Sequence, residues 1–274
     1  MRTLIHLSDL HFGRTDDALL APLAAIVREL APDLIAVSGD LTQRARAVEF
    51  RAAREFLDRL PGPQVIVPGN HDVPLYNVFK RFVQPLDAYR KYVSGDLEPF
   101  YLDAQIAVLG INTARSLTFK HGRINESQIA SAQKRLSLLP EQIIKVIVTH
   151  HPFDLPAGHE SRGLVGRGEL ALKMLTVCKC DLLLAGHLHV ADVGGSAIRN
   201  LDQDYEAIIV QAGTATSTRA RGETNSFNVI KIEQDRIDVW HYAWEPTRGA
   251  FSATEREQFK RTATGWKSLA VAND

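Results

Sequence analysis

Ten histidines and two cysteines set the terms of any chemistry this sequence can do. Six of the ten histidines join aspartate and asparagine in five short clusters. These are Asp9-Leu10-His11, Gly39-Asp40, Gly69-Asn70-His71-Asp72, His150-His151-Pro152 and Gly186-His187-Leu188-His189. Carboxylate, amide and imidazole donors suit zinc, manganese, iron or cobalt, and the scarcity of cysteine argues against a thiolate-rich site. Asp9, His11, Asp40, Asn70, His150, His187 and His189 make seven plausible ligands, more than one ion with open positions uses. Seven suit two ions roughly 3.5–4 Å apart that share one bridging carboxylate, as in two-metal hydrolases.

Each cluster follows an apolar run. Leu4-Ile5-His6-Leu7 leads to Asp9, Leu34-Ile35-Ala36-Val37 to Asp40, and Val65-Ile66-Val67 to Asn70. Ile143 through Val148 leads to His150, and Leu182-Leu183-Leu184-Ala185 to His187. Such runs read as buried strands. In an open α/β sheet their ends gather along one edge, where ligands bind.

Between these strands, spacing predicts a helix from Asp17 or Ala21 to Leu30, a second from Arg44 to Leu60 and a third from about Asn125 to Leu139. Asn125 with Gln128 has the form of a helix N-cap. Residues 73–97 repeat Val78, Phe79, Phe82 and Leu86 at helical spacing. Packing is the expected role of their aromatics, and a cap over the crevice is the alternative. Residues 99–111 read as two strands, and 169–177 as a helix after the glycine-bearing loop 152–168. The remainder is β-rich at 206–211, 225–232 and 236–241, with a hairpin at Glu233-Gln234-Asp235 and a terminal helix from about Thr254. With no repeat or linker, residues 1–274 read as a single domain, and the alternation of elements suggests two sheets face to face with helices outside.

The 32 basic and 32 acidic residues balance. No global field therefore attracts a nucleic-acid backbone, and nucleic acid is not expected as partner. The opening apolar run is too short for a signal peptide or membrane span. Cys178 and Cys180 lack a zinc-knuckle spacing and read as buried reduced thiols, which fits a cytoplasmic protein.

Asp9-x-His11, Gly39-Asp40, Gly69-Asn70-His71-Asp72, His150 and Gly186-His187-x-His189 resemble, in order and completeness, the calcineurin-like metallophosphoesterases. That resemblance implies a four-layer α/β/β/α sandwich of two mixed sheets flanked by helices. It implies that Asp9, His11 and His189 hold one ion, that Asn70, His150 and His187 hold the other, and that Asp40 bridges. The pair would be divalent or trivalent ions of manganese, iron or zinc. It also implies that Asn70 and His71 face the substrate, with His71 catalytic rather than a ligand. A metal-bridging hydroxide would attack the phosphate in line with its leaving oxygen, and His71 would donate to the phosphate or protonate the leaving alkoxide. Asp72 has two readings, orienting His71 or capping a following helix. Arg14 and Arg44 likewise read as phosphate clamps or as solvated surface.

The segments His6 through Arg14 and Gly39-Asp40-Leu41-Thr42 are similar to the bacterial class III cyclic nucleotide phosphodiesterases. The expected substrate is thus a small phosphodiester such as a cyclic nucleotide. A DNA exonuclease, a lipid or nucleotide pyrophosphate hydrolase, and a non-catalytic scaffold of the same fold are the competing readings. Oligomeric state is open, a homodimer included. His6 reads as a core residue and His151 as outside the ligand set, because successive side chains of a strand point to opposite faces. His121, His159 and His241 carry no pattern.

Overall fold

The computed structural model describes residues 1–117, 121–154, 164–195, 205–218 and 223–269. The apolar runs form the strands expected of them: β1 (Arg2–Leu7), β2 (Leu34–Val37), β3 (Gln64–Ile66), β4 (Phe100–Leu102), β5 (Ile106–Gly110), β6 (Ile144–Val148) and β7 (Leu182–Ala185). Six more complete two sheets: β8 (Asp192–Gly195), β9 (Ile208–Gln211), β10 (Ser226–Ile232), β11 (Arg236–Glu245), β12 (Ala250–Thr262) and β13 (Gly265–Leu269). One sheet runs β13-β12-β11-β10-β1-β2-β3 and the other β4-β5-β6-β7-β9-β8. Strands β1 to β3 are parallel to one another, as are β5, β6, β7 and β9.

Side chains alternate between the faces of each strand, and this sorts the core into three parts. Leu4, Leu34, Ala36, Val146, Leu182, Leu184 and Val210 fill the space between the sheets, with Phe259 and Trp266. Ile5, Leu7, Ile35 and Val37 face outward onto α1 (Asp17–Glu29) and α2 (Ala47–Leu57). Leu109, Ile147, Leu183 and Ile209 face α5 (Glu126–Ser137) and α6 (Gly168–Val177). The result is a four-layer α/β/β/α sandwich of mixed sheets. Each fully buried Val, Leu or Ile contributes roughly 1.5–3 kcal/mol, so the parallel strands are mostly apolar on both faces, with the polar clusters past their ends.

Helix starts follow their caps. Asp16 accepts from Ala18 N, which fixes the first turn of α1 at Asp17 despite Pro22. Asn125 and Gln128 form the reciprocal cap of α5. Helix α2 begins at Ala47, later than the spacing suggested, because Ala45 has a positive φ and Glu49 accepts from Arg44 N and Arg46 N.

Two expectations change. The terminal helix from Thr254 is instead the antiparallel hairpin of β12 and β13. The Glu- and Arg-rich stretch has helical propensity, but β11 offers a full ladder, Ile237 opposite Phe259 and Val239 opposite Glu257, and pairing overrides propensity. Residues 73–97 form two short helices, α3 (Val78–Val83) and α4 (Asp87–Tyr92), separated at Pro85. Leu86 and Tyr89 pack inward as expected, while Val78, Phe79 and Phe82 are exposed. Of the loop 152–168, residues 155–163, with His159, lie outside the described residues. Cys178 and Cys180 are buried and unpaired. Among the described residues no helix is long and apolar enough to cross a membrane.

Candidate metal centre

The loops after β1, β2, β3, β6 and β7 meet at one edge of the sandwich, tied to each other by backbone hydrogen bonds. Asp9 N donates to Gly39 O (3.1 Å) and His11 N to Asp40 O (2.9 Å), so the first two loops extend as a pair. Gly186 N donates to His150 O (3.1 Å) and joins the last two. The approach is close enough to require glycine at two points. A Cβ on Gly69 would fall on the Asp40 carboxylate, and one on Gly186 would fall on the Ser8 hydroxyl.

The backbone is also bent into unusual conformations there. Nine non-glycine residues with positive φ occur among the described residues, and five are Asp9, His11, Asp40, His187 and His189. Side chains rarely adopt this region, and it costs energy that the surrounding structure must supply. The bend turns each side chain out of the strand direction and toward the shared edge.

All seven expected ligands are brought together. One ligand atom from each of Asp9, His11 and His189 lies within 4.8 Å of the others, and the same holds for Asp9, Asp40 and His150. Asp9 Oδ2 accepts from Ser8 Oγ (2.6 Å) and His187 N (3.1 Å), while its Oδ1 faces His11 Nε2 (3.4 Å) and His189 Nε2 (3.6 Å). Asp40 spans the cluster: Oδ2 lies 3.7 Å from His11 Nε2 and Oδ1 lies 3.4 Å from His150 Nε2. Asn70 Oδ1 is 3.1 Å from His150 Nε2, and the His150 and His187 ring centroids are 5.1 Å apart.

These donors fit a metal. Among the described residues, both ring nitrogens of His11 and the Oδ1 of Asp9 are buried without a hydrogen-bond partner. Orphaned buried polar atoms are rare, and a bound cation is one of the few explanations for several at one point. Electrostatics agree. Burial works against charge on Asp9 and Asp40, but the imidazoles of His189 and His11 around Asp9, and of His150 beside Asp40, hold both carboxyls below the usual carboxylate range. Burial would lower His150, but Asp40, by its charge and a hydrogen bond, lifts it to about 9. Burial and the charge on His150 push His187 down to about 3.

His71 lies at the same edge, its ring 4.9 Å from that of His11 and at 88° to it. Its backbone N donates to Asp40 Oδ1 (2.8 Å), and its Nδ1–H donates to Gln43 O (2.9 Å). Asp72 does not cap a following helix, because Asn77 caps α3. Asp72 accepts from Gly69 N, Leu41 N, Thr42 N and Thr42 Oγ1, closing the short 3₁₀ turn Asn70–Asp72 and stapling it to the Asp40 loop. Burial and the nearby charge of Asp40 raise Asp72 to about 6. Arg14 and Arg44 are exposed, and Arg44 lies over the Tyr76 ring at 5.5 Å.

His6 is a core residue as expected. It bonds Ser38 Oγ at 2.9 Å and is pushed down to about 3 by burial. His121 is exposed, and His241 meets Asn228 Oδ1 at 3.3 Å. Three partners escaped the sequence reading: Gln43, whose carbonyl holds His71; Ser38, whose carbonyl accepts from His150 Nδ1 (2.7 Å); and Thr214, whose hydroxyl meets His189 Nδ1 (2.6 Å). The first two act through the backbone and leave no side-chain signal. Thr214 follows β9 in a run of hydroxyl residues, a sixth polar cluster at a strand end.

The chain matches the calcineurin-like phosphoesterase family over residues 2–191. It is 25% identical over 246 residues to the 3',5'-cyclic adenosine monophosphate phosphodiesterase CpdA of Escherichia coli K12, covering 84% of this chain and 81% of that one. It is 28% identical over 163 residues to the glycerophosphodiester phosphodiesterase GpdQ of Enterobacter lignolyticus, covering 56% and 58%. Its fold is similar to that of a dimetal phosphatase from Danio rerio, with a TM-score of 0.64 and 15% identity over 87% of this chain and 95% of that one.

Proposed function

The chain belongs to the calcineurin-like phosphoesterase family, and from that premise we propose that it is a binuclear metal-dependent phosphodiesterase acting on small diesters. The observation that carries this reading is the position of Asp40, with one carboxylate oxygen toward His11 and the other toward His150. A carboxylate so placed would serve two ions at once. Asp9, His11 and His189 would hold one, and Asn70, His150 and His187 the other. Manganese, iron or zinc fits this mixture of imidazole, carboxylate and amide.

When bound, such a pair lowers the pKa of a water toward about 7 and neutralises phosphate oxygens. The protein's own part is orientation and proton transfer. Nδ1–H donates to the Gln43 carbonyl, and the Nε2 of His71 would carry a proton to the phosphate or the leaving oxygen. The Ser38 carbonyl fixes the tautomer of His150 in the same way, and Thr214 Oγ1 anchors the Nδ1 of His189, so that Nε2 of each ring would be the atom offered to a metal.

A 3',5'-cyclic nucleotide is the first substrate to test, since the Escherichia coli cyclic AMP phosphodiesterase aligns over most of both chains. Glycerophosphodiesters come second, on the shorter match to GpdQ. The two free buried thiols support a reducing, cytoplasmic setting. The test is a panel of cyclic nucleotides, glycerophosphodiesters and a chromogenic bis-aryl phosphate, assayed with Mn²⁺ and after chelation. Metal-dependent turnover of at least one diester is expected. A protein that binds two equivalents of metal yet turns over none is a scaffold.

A further inference from the structure

We infer that Glu49 is a positioning residue for His71, acting through the single peptide group that joins Gln43 to Arg44. The inference rests on the phosphodiesterase reading above and deepens it, since it names what holds the proton-carrying ring. The C=O of that peptide accepts from His71 Nδ1 at 2.9 Å, and its N–H donates to Glu49 Oε2 at 2.8 Å. A trans peptide group is planar and rigid, so its oxygen and its N–H hydrogen point in opposite directions. Fixing one end fixes the other. Carboxylate, peptide and imidazole thus form one hydrogen-bonded row, and bonds in such a row polarise and strengthen one another.

The ordinary duty of Glu49 does not account for this bond. As the third residue of α2 it reaches back to Arg46 N (3.2 Å), which completes the helix start. Arg44 lies two residues before that cap and outside the helix, yet its bond to Glu49 is the shorter of the two. Helix α2 does not need it. The loop between Asp40 and the helix does. Ala45 is held at a φ of +53°, and its N donates to Thr42 Oγ1 (3.1 Å), so the chain turns there with the 43–44 peptide set between His71 and Glu49.

The carboxylate is also fixed from behind. Glu49 is 6% exposed, and its Oε1 packs on Gly13 in the loop that follows β1, where a Cβ would lie 2.7 Å from it. Glu49 therefore ties the Gln43 loop to the loop that carries Asp9 and His11. A substitution at Glu49 reaches the ring of His71 without removing a ligand.

The test is a double-mutant cycle of Glu49→Ala with His71→Ala, assayed with Mn²⁺ on the diester that wild type turns over fastest, with metal content measured for all four proteins. Where His71 is present, Glu49→Ala lowers kcat about 10-fold and leaves KM and the metal complement unchanged. In the His71→Ala background it lowers kcat less than about twofold, because residues that act as one unit are not additive. The ring ¹⁵N shifts of His71 in the metal-free chain are the second readout. The Nδ1–H tautomer of wild type gives way to a mixed population in Glu49→Ala. A packing or capping role would lower kcat by the same factor in both backgrounds. That result, an unchanged kcat, or unchanged ring shifts in a folded Glu49→Ala protein each overturns the assignment while leaving the phosphodiesterase reading intact. If Glu49→Ala does not fold, Glu49→Asp, one methylene shorter, goes through the same cycle under the same criterion. A wild type that turns over no diester removes the phosphodiesterase reading and, with it, the role given to Glu49.

Discussion

Strand β7 is four residues long and has a buried charged group near each end, yet the two ends are built on different principles. At its start, Asp181 is fully buried and fully satisfied. It accepts from Lys145 N (2.8 Å), Trp266 Nε1 (2.8 Å), Tyr205 OH (3.0 Å) and Arg261 Nη2 (3.2 Å). At its finish, His187 and His189 meet Asp9, which is equally buried but has one oxygen without a hydrogen-bond partner among the described residues. Burial raises Asp181 despite its donors, whereas the surrounding imidazoles hold Asp9 down. Burial of a carboxylate therefore does not identify a site. What separates the two ends is an oxygen left open, imidazoles facing it, and a backbone held at positive φ to aim them.

The comparison can be broken from either end. The largest effect is expected at the finish: Asp40→Ala removes at least one ion and brings diester turnover to background, and a full metal complement by elemental analysis would refute its bridging role. His71→Ala should keep both ions while turnover falls about 10²–10⁴-fold, the range for a proton-transfer group. Loss of metal in that variant contradicts the role given to it. Thr214→Val leaves every ligand in place but frees the His189 ring. Affinity for one ion should fall about 10–100-fold, read by chelator competition, and an unchanged value would show that the 2.6 Å contact does not orient the ligand.

At the start of the strand only stability should move. Asp181→Ala leaves Trp266 Nε1 and Lys145 N without their acceptor, at a cost of about 1–3 kcal/mol for each, and thermal melts should record this with metal content unchanged. Asp181→Asn adds the pH dependence. A carboxyl raised on folding contributes stability below its unfolded pKa of about 4 and loses it as pH rises through the folded value. Wild type should therefore lose ground to the Asn variant as pH rises above about 4. A pH-independent difference between their unfolding free energies would mean that Asp181 is not raised.

Much of this was legible in the residues. Apolar runs of three to six residues mark buried strands, and the polar clusters after them mark a common edge, so the two sheets and all seven expected ligands could be placed together from the residues alone. What could not be read were contacts made through the backbone. The carbonyls of Ser38 and Gln43 belong to side chains of no special type, and the positive φ at Asp9, Asp40 and His187 depends on loops that meet only in three dimensions. The hairpin of β12 and β13 was missed for a related reason. Its sequence is compatible with a helix, and only the open edge of β11 decides.

The pairing of β10 beside β1 bears on how this chain is made and cut. Leu4 lies opposite Ile230, so both edges of β1 are covered only when a strand far along the chain pairs with it. Contacts of such long sequence separation slow folding. A fragment ending at residue 191, where the family match stops, would retain every expected ligand. It would nevertheless lack β9 and β10, exposing the edges of β1 and β7 directly beside the cluster. The shortest piece able to hold the centre is thus far longer than the stretch that contains its ligands.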